Sequence, residues 1–150
     1  MRAVRVRPLP AGRGSAEQYV RENYPDELRI FRSGSSRRST GLVVAIDADE
    51  HTVQQRFEQL EHSLRTSSIA PRIHDEAVSI LVPKRNVETW VRCLNGQPAN
   101  EQDNYRYRND NGDPKPAAHT LFQWSRANAA VPGNCVASLF NAFTELRRLD

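Results

Sequence analysis

The sequence predicts an α/β domain built on a short, mainly parallel sheet with helices packed against it. Two apolar runs, residues 43–46 and 77–82, have the composition of strands that are buried on both faces. Between them, from Val53 to Leu64, apolar residues recur at the spacing of an amphipathic helix. A strand, a crossover helix and a second strand form a βαβ step, which favours parallel pairing of the two strands.

The chain before these strands is predicted to hold an edge strand and a helix. Residues 3–9 alternate apolar side chains with arginine, which is typical of a half-buried edge strand. Ser15 and Gln18 have the spacing of a capping box, so a helix is expected to begin there. Pro25 predicts that a further turn starts at that point. The polar stretch 32–40 predicts a loop.

The chain after the second strand is predicted to be helical around one long loop. Asn86 is placed to cap a helix that ends near Gly96. Pro116 opens another helix, and the last helix carries an apolar stripe over residues 136–146. We therefore expect a single domain, 1–150, with a core at about 1–96, a surface loop at 97–114 and C-terminal helices at 115–150.

Charge and composition favour a cytoplasmic protein and leave contact with phosphate open. The net charge is +3, but the first 40 residues carry nine arginines against four acidic residues. Arginine, with its planar guanidinium, suits phosphate, although a GC-rich genome produces the same bias. No apolar stretch approaches the roughly 20 residues that a membrane span needs. The two cysteines have neither zinc-ligand spacing nor the pattern of a disulfide framework.

Asp47 and Asp49 follow the first apolar run, just before the next helix. Residues i and i+2 of a strand point the same way, so two carboxylates are expected together at the carboxyl edge of the sheet. Such a pair suits Mg²⁺, which binds one or two carboxylates and keeps several waters. The alternative is that either aspartate caps the helix that begins near His51.

Lys84, Arg85 and Glu88 follow the second apolar run. If the two strands are parallel, their carboxyl ends share one edge, and these residues lie near the aspartates. Glu88 would then orient a water or a second ion, and Lys84 would neutralise charge on a phosphoryl oxygen. The alternatives are structural: Glu88 stabilises the first helical turn or pairs with Arg92, and the two basic residues are solvated loop charges.

The segments LVVAIDADEHTVQQRFEQL and ILVPKRNVETWVRCLNG together resemble the small Toprim-type domains of topoisomerases, primases and the overcoming-lysogenization-defect nucleases. The resemblance covers about residues 40–96. It implies a three-layer α/β sandwich in which Asp47 and Asp49 bind Mg²⁺ or Mn²⁺. It also implies, less directly, that Glu88 and Lys84 are catalytic.

The resemblance departs from the family at one position. Toprim domains place a glutamate at the end of an earlier strand, and the strand predicted at residues 3–9 ends in prolines instead. Either Glu17 replaces that glutamate, or the chain begins one strand late because Met1 is not the true start. We favour the second explanation, because an arginine-rich edge strand followed by a helix resembles the family's second βα unit.

These observations lead to two expectations of function. The first is an Mg²⁺- or Mn²⁺-dependent nuclease domain that cleaves nucleic acid, with DNA as the expected substrate, and serves as the partner of an ATPase in phage defence. Arg37, Arg38 and Arg85 are expected to contact the nucleic acid. The alternative is a non-catalytic subunit with a degenerate metal site that binds nucleic acid or an ATPase. A receiver-type phosphoacceptor domain ranks lower, because it needs an upstream acidic pair.

Overall fold

The computed structural model describes residues 4–12, 14–34 and 39–150. In chain order its elements are α1 (Ala16–Gly34), β1 (Leu42–Ala45), α2 (Val53–Thr66), β2 (Val78–Leu81), α3 (Val87–Leu94), α4 (Pro114–Ser125), α5 (Ala137–Leu146) and a final 3₁₀ turn (Arg147–Leu149). The strands pair in parallel, with Leu42 opposite Val78 and Ala45 opposite Leu81. The predicted α/β architecture with a short parallel sheet is confirmed. None of the helices within these ranges combines the length and apolar character needed to cross a bilayer.

Helices cover both faces of the sheet. Val78 and Ile80 belong to one hydrophobic cluster, which α1 and α2 complete with Leu28, Leu60 and other side chains. Leu81 packs against a second cluster, formed by side chains of α3, α4 and α5. Because neighbouring residues of a strand point to opposite faces, the two clusters lie on opposite sides of β2. The carboxyl edge of the sheet is thus held between two packed layers of helices.

Helix α2 begins at a complete capping box. The Thr52 hydroxyl oxygen accepts a hydrogen bond from the Gln55 backbone N–H at 3.0 Å, and the Gln55 side-chain oxygen accepts from the Thr52 N–H at 2.8 Å. This reciprocal pair satisfies two of the free N–H groups at the start of the helix. The alternative that Asp47 or Asp49 caps this helix is therefore wrong.

The edge strand predicted at residues 3–9 is wrong for the residues that the structure describes. Residues 4–10 are irregular, and Val4 and Val6 are exposed. Arg7 pairs with Glu27 and donates to the Tyr19 hydroxyl, so this segment lies against α1. The prolines in this segment lack the N–H that a sheet ladder needs, so the alternating apolar pattern does not produce a strand here.

Pro25 lies inside α1 and does not start a new turn, so that expectation is also wrong. A proline in a helix removes one backbone hydrogen bond. The neighbouring Tyr24 and Leu28 are fully buried against the sheet and α2, and this burial offsets the lost bond. The helix consequently runs unbroken to Gly34.

The C-terminal helices form nearly as expected. Helix α4 begins at Pro114, two residues before the predicted start, because the Asp113 carboxylate accepts from the Lys115 N–H at 2.9 Å. The first turn of α5 is held by Glu101, whose carboxylate accepts from the Ser138 N–H at 2.8 Å. The loop between α3 and α4 thus contributes directly to the packing of the last helix.

Candidate functional site

The carboxyl ends of β1 and β2 meet, as the sequence predicts. The backbone pairing continues beyond the strands: the Ala48 N–H donates to the Pro83 carbonyl at 2.8 Å, and the Asp49 N–H donates to the Arg85 carbonyl at 3.1 Å. This pairing brings the predicted acidic residues beside the predicted basic residues. We call the resulting surface the strand-end site, formed by Asp47, Asp49, Lys84, Arg85, Glu88 and Arg106.

Two residues of the strand-end site have left-handed backbone conformations. Asp49 has φ of 52° and Arg85 has φ of 73°. Such conformations are uncommon for residues other than glycine, and they often occur at functional sites. At Asp49 the strand alternation has ended, so the two carboxylates do not share a face as neighbours in a regular strand would. The Asp49 carboxylate is 58% exposed and lies 3.4 Å from the Arg85 guanidinium.

Asp47 is the more buried of the two aspartates and is paired with Arg106. The distance between Asp47 Oδ2 and Arg106 Nη2 is 3.1 Å, and the Asp47 side chain is 30% exposed. Burial raises the pKa of Asp47 above its ordinary value, and the negative charges of Glu88 and Asp49 add to this effect. Arg106 opposes the increase without cancelling it. Asp47 therefore carries a charge that its surroundings compensate only in part.

Lys84 is held against the backbone of the neighbouring strand end. Its ammonium donates to the Asp49 carbonyl at 3.1 Å and to the His51 carbonyl at 2.5 Å. Its own N–H donates to the Ser138 hydroxyl of α5 at 3.2 Å. Lys84 therefore fixes the turn that carries Asp49, and it is not a loosely solvated loop charge.

Arg106 lies on the loop between α3 and α4, which the sequence predicts only as a surface loop. Tyr105 is buried, and two guanidinium groups lie against its ring, that of Arg92 at 4.8 Å from the ring centre and that of Arg108 at 5.6 Å. Asn111 donates to the Tyr105 carbonyl at 2.8 Å. Arg92 itself is buried and pairs with Asp110. The loop therefore has a small core of its own, which positions Arg106.

The same loop is tied to α3 through Asn86. As predicted, Asn86 is the residue before the helix, but its side chain makes no capping bond. Its amide instead donates to Asn104 Oδ1 at 2.7 Å, and that oxygen also accepts from the Arg106 N–H at 3.0 Å. This connection fixes Arg106 relative to the helix that carries Glu88. The sequence gives only a weak signal for it, the aromatic and basic alternation Tyr-Arg-Tyr-Arg at 105–108.

Arg56 of α2 lies beneath the site, with a side chain that is 2% exposed. Its Nε donates to the Asp47 carbonyl at 3.0 Å, and its Nη1 donates to Gln59 Oε1 at 2.8 Å. Glu17 of α1 lies 3.6 Å from the same guanidinium. Burial lowers the pKa of Arg56, and the nearby Glu17 opposes this effect. Sequence reasoning missed Arg56, which lies on the apolar stripe of the helix.

Two residues expected to contact nucleic acid, Arg37 and Arg38, lie outside the described residues. The third, Arg85, is half-buried at the strand-end site, where its Nη1 also lies 3.7 Å from Glu50. In the described ranges its Nε is buried and has no hydrogen-bond partner. Nη1, which faces the Asp49 and Glu50 carboxylates, is therefore the nitrogen through which this guanidinium reaches an oxygen ligand such as phosphate.

The donor set suits a divalent ion only in a hydrated form. Within the described ranges, no group of three or more histidine, cysteine, aspartate or glutamate side chains is placed to surround a metal. Mg²⁺ needs fewer protein ligands than that, since one or two carboxylates suffice when waters complete the shell. The predicted pair, Asp47 and Asp49, supplies that number, and both carboxylates are partly exposed to solvent. In this structure the Arg106 guanidinium is the cation beside Asp47.

No protein-family model, curated protein or solved structure matches this chain.

The raised pKa of Asp47 predicts that Asp47→Asn stabilises the fold at neutral pH. The cost of ionising Asp47 is fully present above its folded-state pKa and is relieved as the pH falls through that pKa toward the ordinary 3.8. The melting temperature should rise by a few degrees at pH 7, since about 1 kcal/mol shifts it by roughly 2–4 °C in a chain of this size. The gain should disappear near pH 3.5, as followed by circular dichroism.

The matched control is Asp75→Asn, because Asp75 is exposed and precedes the amino end of β2, whereas the strand-end site lies at the carboxyl ends of the strands. It should leave the melting temperature unchanged at both pH values. A loss of stability for Asp47→Asn at pH 7 would show that the Arg106 ion pair outweighs the burial of the carboxylate.

Proposed function

We propose that this chain is a Toprim-like domain that cleaves phosphodiester bonds of nucleic acid, expected to be DNA, with the help of Mg²⁺ or Mn²⁺. One observation carries the proposal: the parallel strand ends bring carboxylates and basic side chains to one edge of the sheet, with Asp49 and Arg85 in direct backbone contact. The strand, helix and strand order and the helices on both faces are compatible with the three-layer sandwich of that family.

In this proposal Asp47 would hold the ion together with Asp49 from the adjacent turn, and Glu88 would orient the attacking water. When bound, the ion supplies Lewis-acid stabilisation of the charge on the phosphate. Arg85 would donate to a non-bridging phosphate oxygen through its Nη1, which faces the exposed carboxylates of Asp49 and Glu50. Lys84 lies beside it and adds positive charge while it holds the Asp49 turn in place.

Glu88 is the group in this site that can take a proton from water. It lies in the first turn of α3, is half-buried, and acts electrostatically on Asp47 and Arg106. A water attacks phosphorus and gives its proton to the Glu88 carboxylate. The bond from phosphorus to the sugar oxygen then breaks, and that oxygen takes a proton from solvent.

The test is Mn²⁺-dependent nicking of supercoiled plasmid by the purified protein. Asp47→Ala combined with Asp49→Ala should reduce the nicking rate by roughly 100-fold or more, the scale on which loss of an electrostatic group acts. The matched control is Glu61→Ala with Asp75→Ala, which removes two exposed carboxylates far from the site and should leave the rate unchanged. Equal nicking by both double variants would assign the activity to another site or a contaminant.

A second candidate is a non-catalytic subunit that binds nucleic acid or an ATPase partner. The observation that favours it is that each aspartate already has an arginine beside it, Arg106 for Asp47 and Arg85 for Asp49. Titration calorimetry with Mn²⁺ and Mg²⁺ separates the two candidates. A binding subunit gives no heat and no rise in melting temperature with metal, whereas the nuclease gives both.

A further inference from the structure

Arg106 differs from the other basic residues of the strand-end site in how it is held. Lys84 is bonded to backbone carbonyls, and Arg85 is half-buried in a left-handed turn. The Arg106 side chain is 44% exposed, and in the site it contacts the Asp47 carboxylate at 3.1 Å. Its backbone is fixed through Asn104, so the guanidinium can leave Asp47 without any movement of the loop.

The chemistry of Asp47 makes this contact exchangeable. A guanidinium lies about 3 Å from a carboxylate oxygen, whereas Mg²⁺ binds at roughly 2.0–2.1 Å with twice the charge. An ion pair this exposed contributes little, on the scale of roughly 0–1 kcal/mol. A divalent ion can therefore displace Arg106 from Asp47 at little cost, and the released guanidinium remains beside the site.

We propose that Arg106 is an exchangeable cation that pairs with Asp47 in the metal-free protein and binds a phosphate of the nucleic acid once metal holds Asp47. This inference rests on the proposed function, because it requires a metal at Asp47. It assigns to Arg106 a positioning role for the substrate, which neither its sequence context nor the Toprim resemblance suggests. The planar guanidinium suits both partners, since its fork can donate two hydrogen bonds to the oxygens of a carboxylate or of a phosphate.

The test measures two affinities in Arg106→Gln. Mn²⁺ should bind about 2- to 5-fold more tightly by calorimetry, because the competing ion pair is gone. Binding of a short fluorescent DNA duplex, measured by anisotropy with Ca²⁺ in place of Mn²⁺ to prevent cleavage, should become weaker. The slope of log affinity against log salt should fall by about 1 in magnitude, as expected for loss of one phosphate contact.

Arg65→Gln is the matched control, since Arg65 of α2 is also exposed and pairs with Glu61, outside the strand-end site. It should leave Mn²⁺ affinity and the salt slope unchanged. If Arg106→Gln leaves Mn²⁺ affinity unchanged while Asp47→Asn abolishes Mn²⁺ binding, metal does not displace Arg106 from Asp47. That result would overturn the exchange of Arg106 and leave the proposed function standing. Absence of Mn²⁺ binding in the unaltered protein would overturn both.

Discussion

Glu145→Ala is expected to lower the free energy of unfolding by about 3–5 kcal/mol, the usual cost of breaking a buried ion pair. The Glu145 side chain is 10% exposed and accepts two hydrogen bonds from the Arg72 guanidinium, at 2.5 and 2.8 Å. It also accepts from the Ile80 N–H of β2 at 2.8 Å. Alanine would leave the guanidinium and that N–H buried without this partner. Urea unfolding followed by circular dichroism measures the change.

The expected loss of stability is large because Glu145 lies at the edge of the sheet. Glu145 of α5 satisfies the Ile80 N–H, and Arg72 and Arg148 donate to the Val78 carbonyl at 2.9 and 3.0 Å. These side chains make bonds to β2 of the kind that a neighbouring strand would otherwise make. Loss of Glu145 should therefore loosen α5 from the sheet as well as remove an ion pair.

Two variants keep this prediction testable even if the alanine variant does not fold. Glu145→Gln keeps an oxygen acceptor for Ile80, so its loss should be about half as large. Glu61→Ala removes an exposed glutamate that pairs with Arg65 on one helix, and it should change stability by less than about 0.5 kcal/mol. A Glu145→Ala protein as stable as Glu61→Ala would refute the edge role.

The sequence predicts the parts of the fold that depend on local periodicity and strand direction. Both strands and the helix between them follow from apolar spacing, and the meeting of Asp49 with Arg85 follows from the rule that parallel strands end at one edge. The Toprim resemblance and the roles it implies for Asp47, Glu88 and Lys84 stay predictions. They concern bound ions and substrates, and a backbone pattern does not report on these.

The features that the sequence does not predict depend on contacts between distant residues. Arg106 reaches Asp47 across 59 positions from a loop without periodicity, and Glu145 reaches Ile80 across 65. Residues 4–9 show the opposite error, since a local alternating pattern suggested a strand where the Arg7 ion pair holds the segment against α1. Local sequence patterns predict the helices and strands, whereas polar contacts between distant residues determine which side chains meet at the strand-end site.

Arg56→Ala is expected to lower the free energy of unfolding by about 3–5 kcal/mol and to impair the strand-end site. The buried guanidinium donates to the Asp47 carbonyl, and alanine would leave that carbonyl without this donor and a cavity beneath it. Arg56→Lys keeps the charge, but its single ammonium cannot reproduce the fork that contacts both Asp47 and Gln59. It should therefore lose about 1–3 kcal/mol.

The matched control is Arg65→Ala, because Arg65 is on the same helix and is 61% exposed, so its removal should have almost no effect. If Arg56 were purely structural, its substitution would lower the free energy of unfolding and leave Mn²⁺ affinity unchanged. Because Arg56 holds the backbone of Asp47, Arg56→Lys should also weaken Mn²⁺ binding under conditions where the variant is fully folded. Calorimetry at a temperature well below the transition separates the two effects. Unchanged Mn²⁺ affinity in folded Arg56→Lys would show that Arg56 acts only through packing. A several-fold loss of Mn²⁺ affinity would show that the buried Arg56 guanidinium also positions the strand-end site.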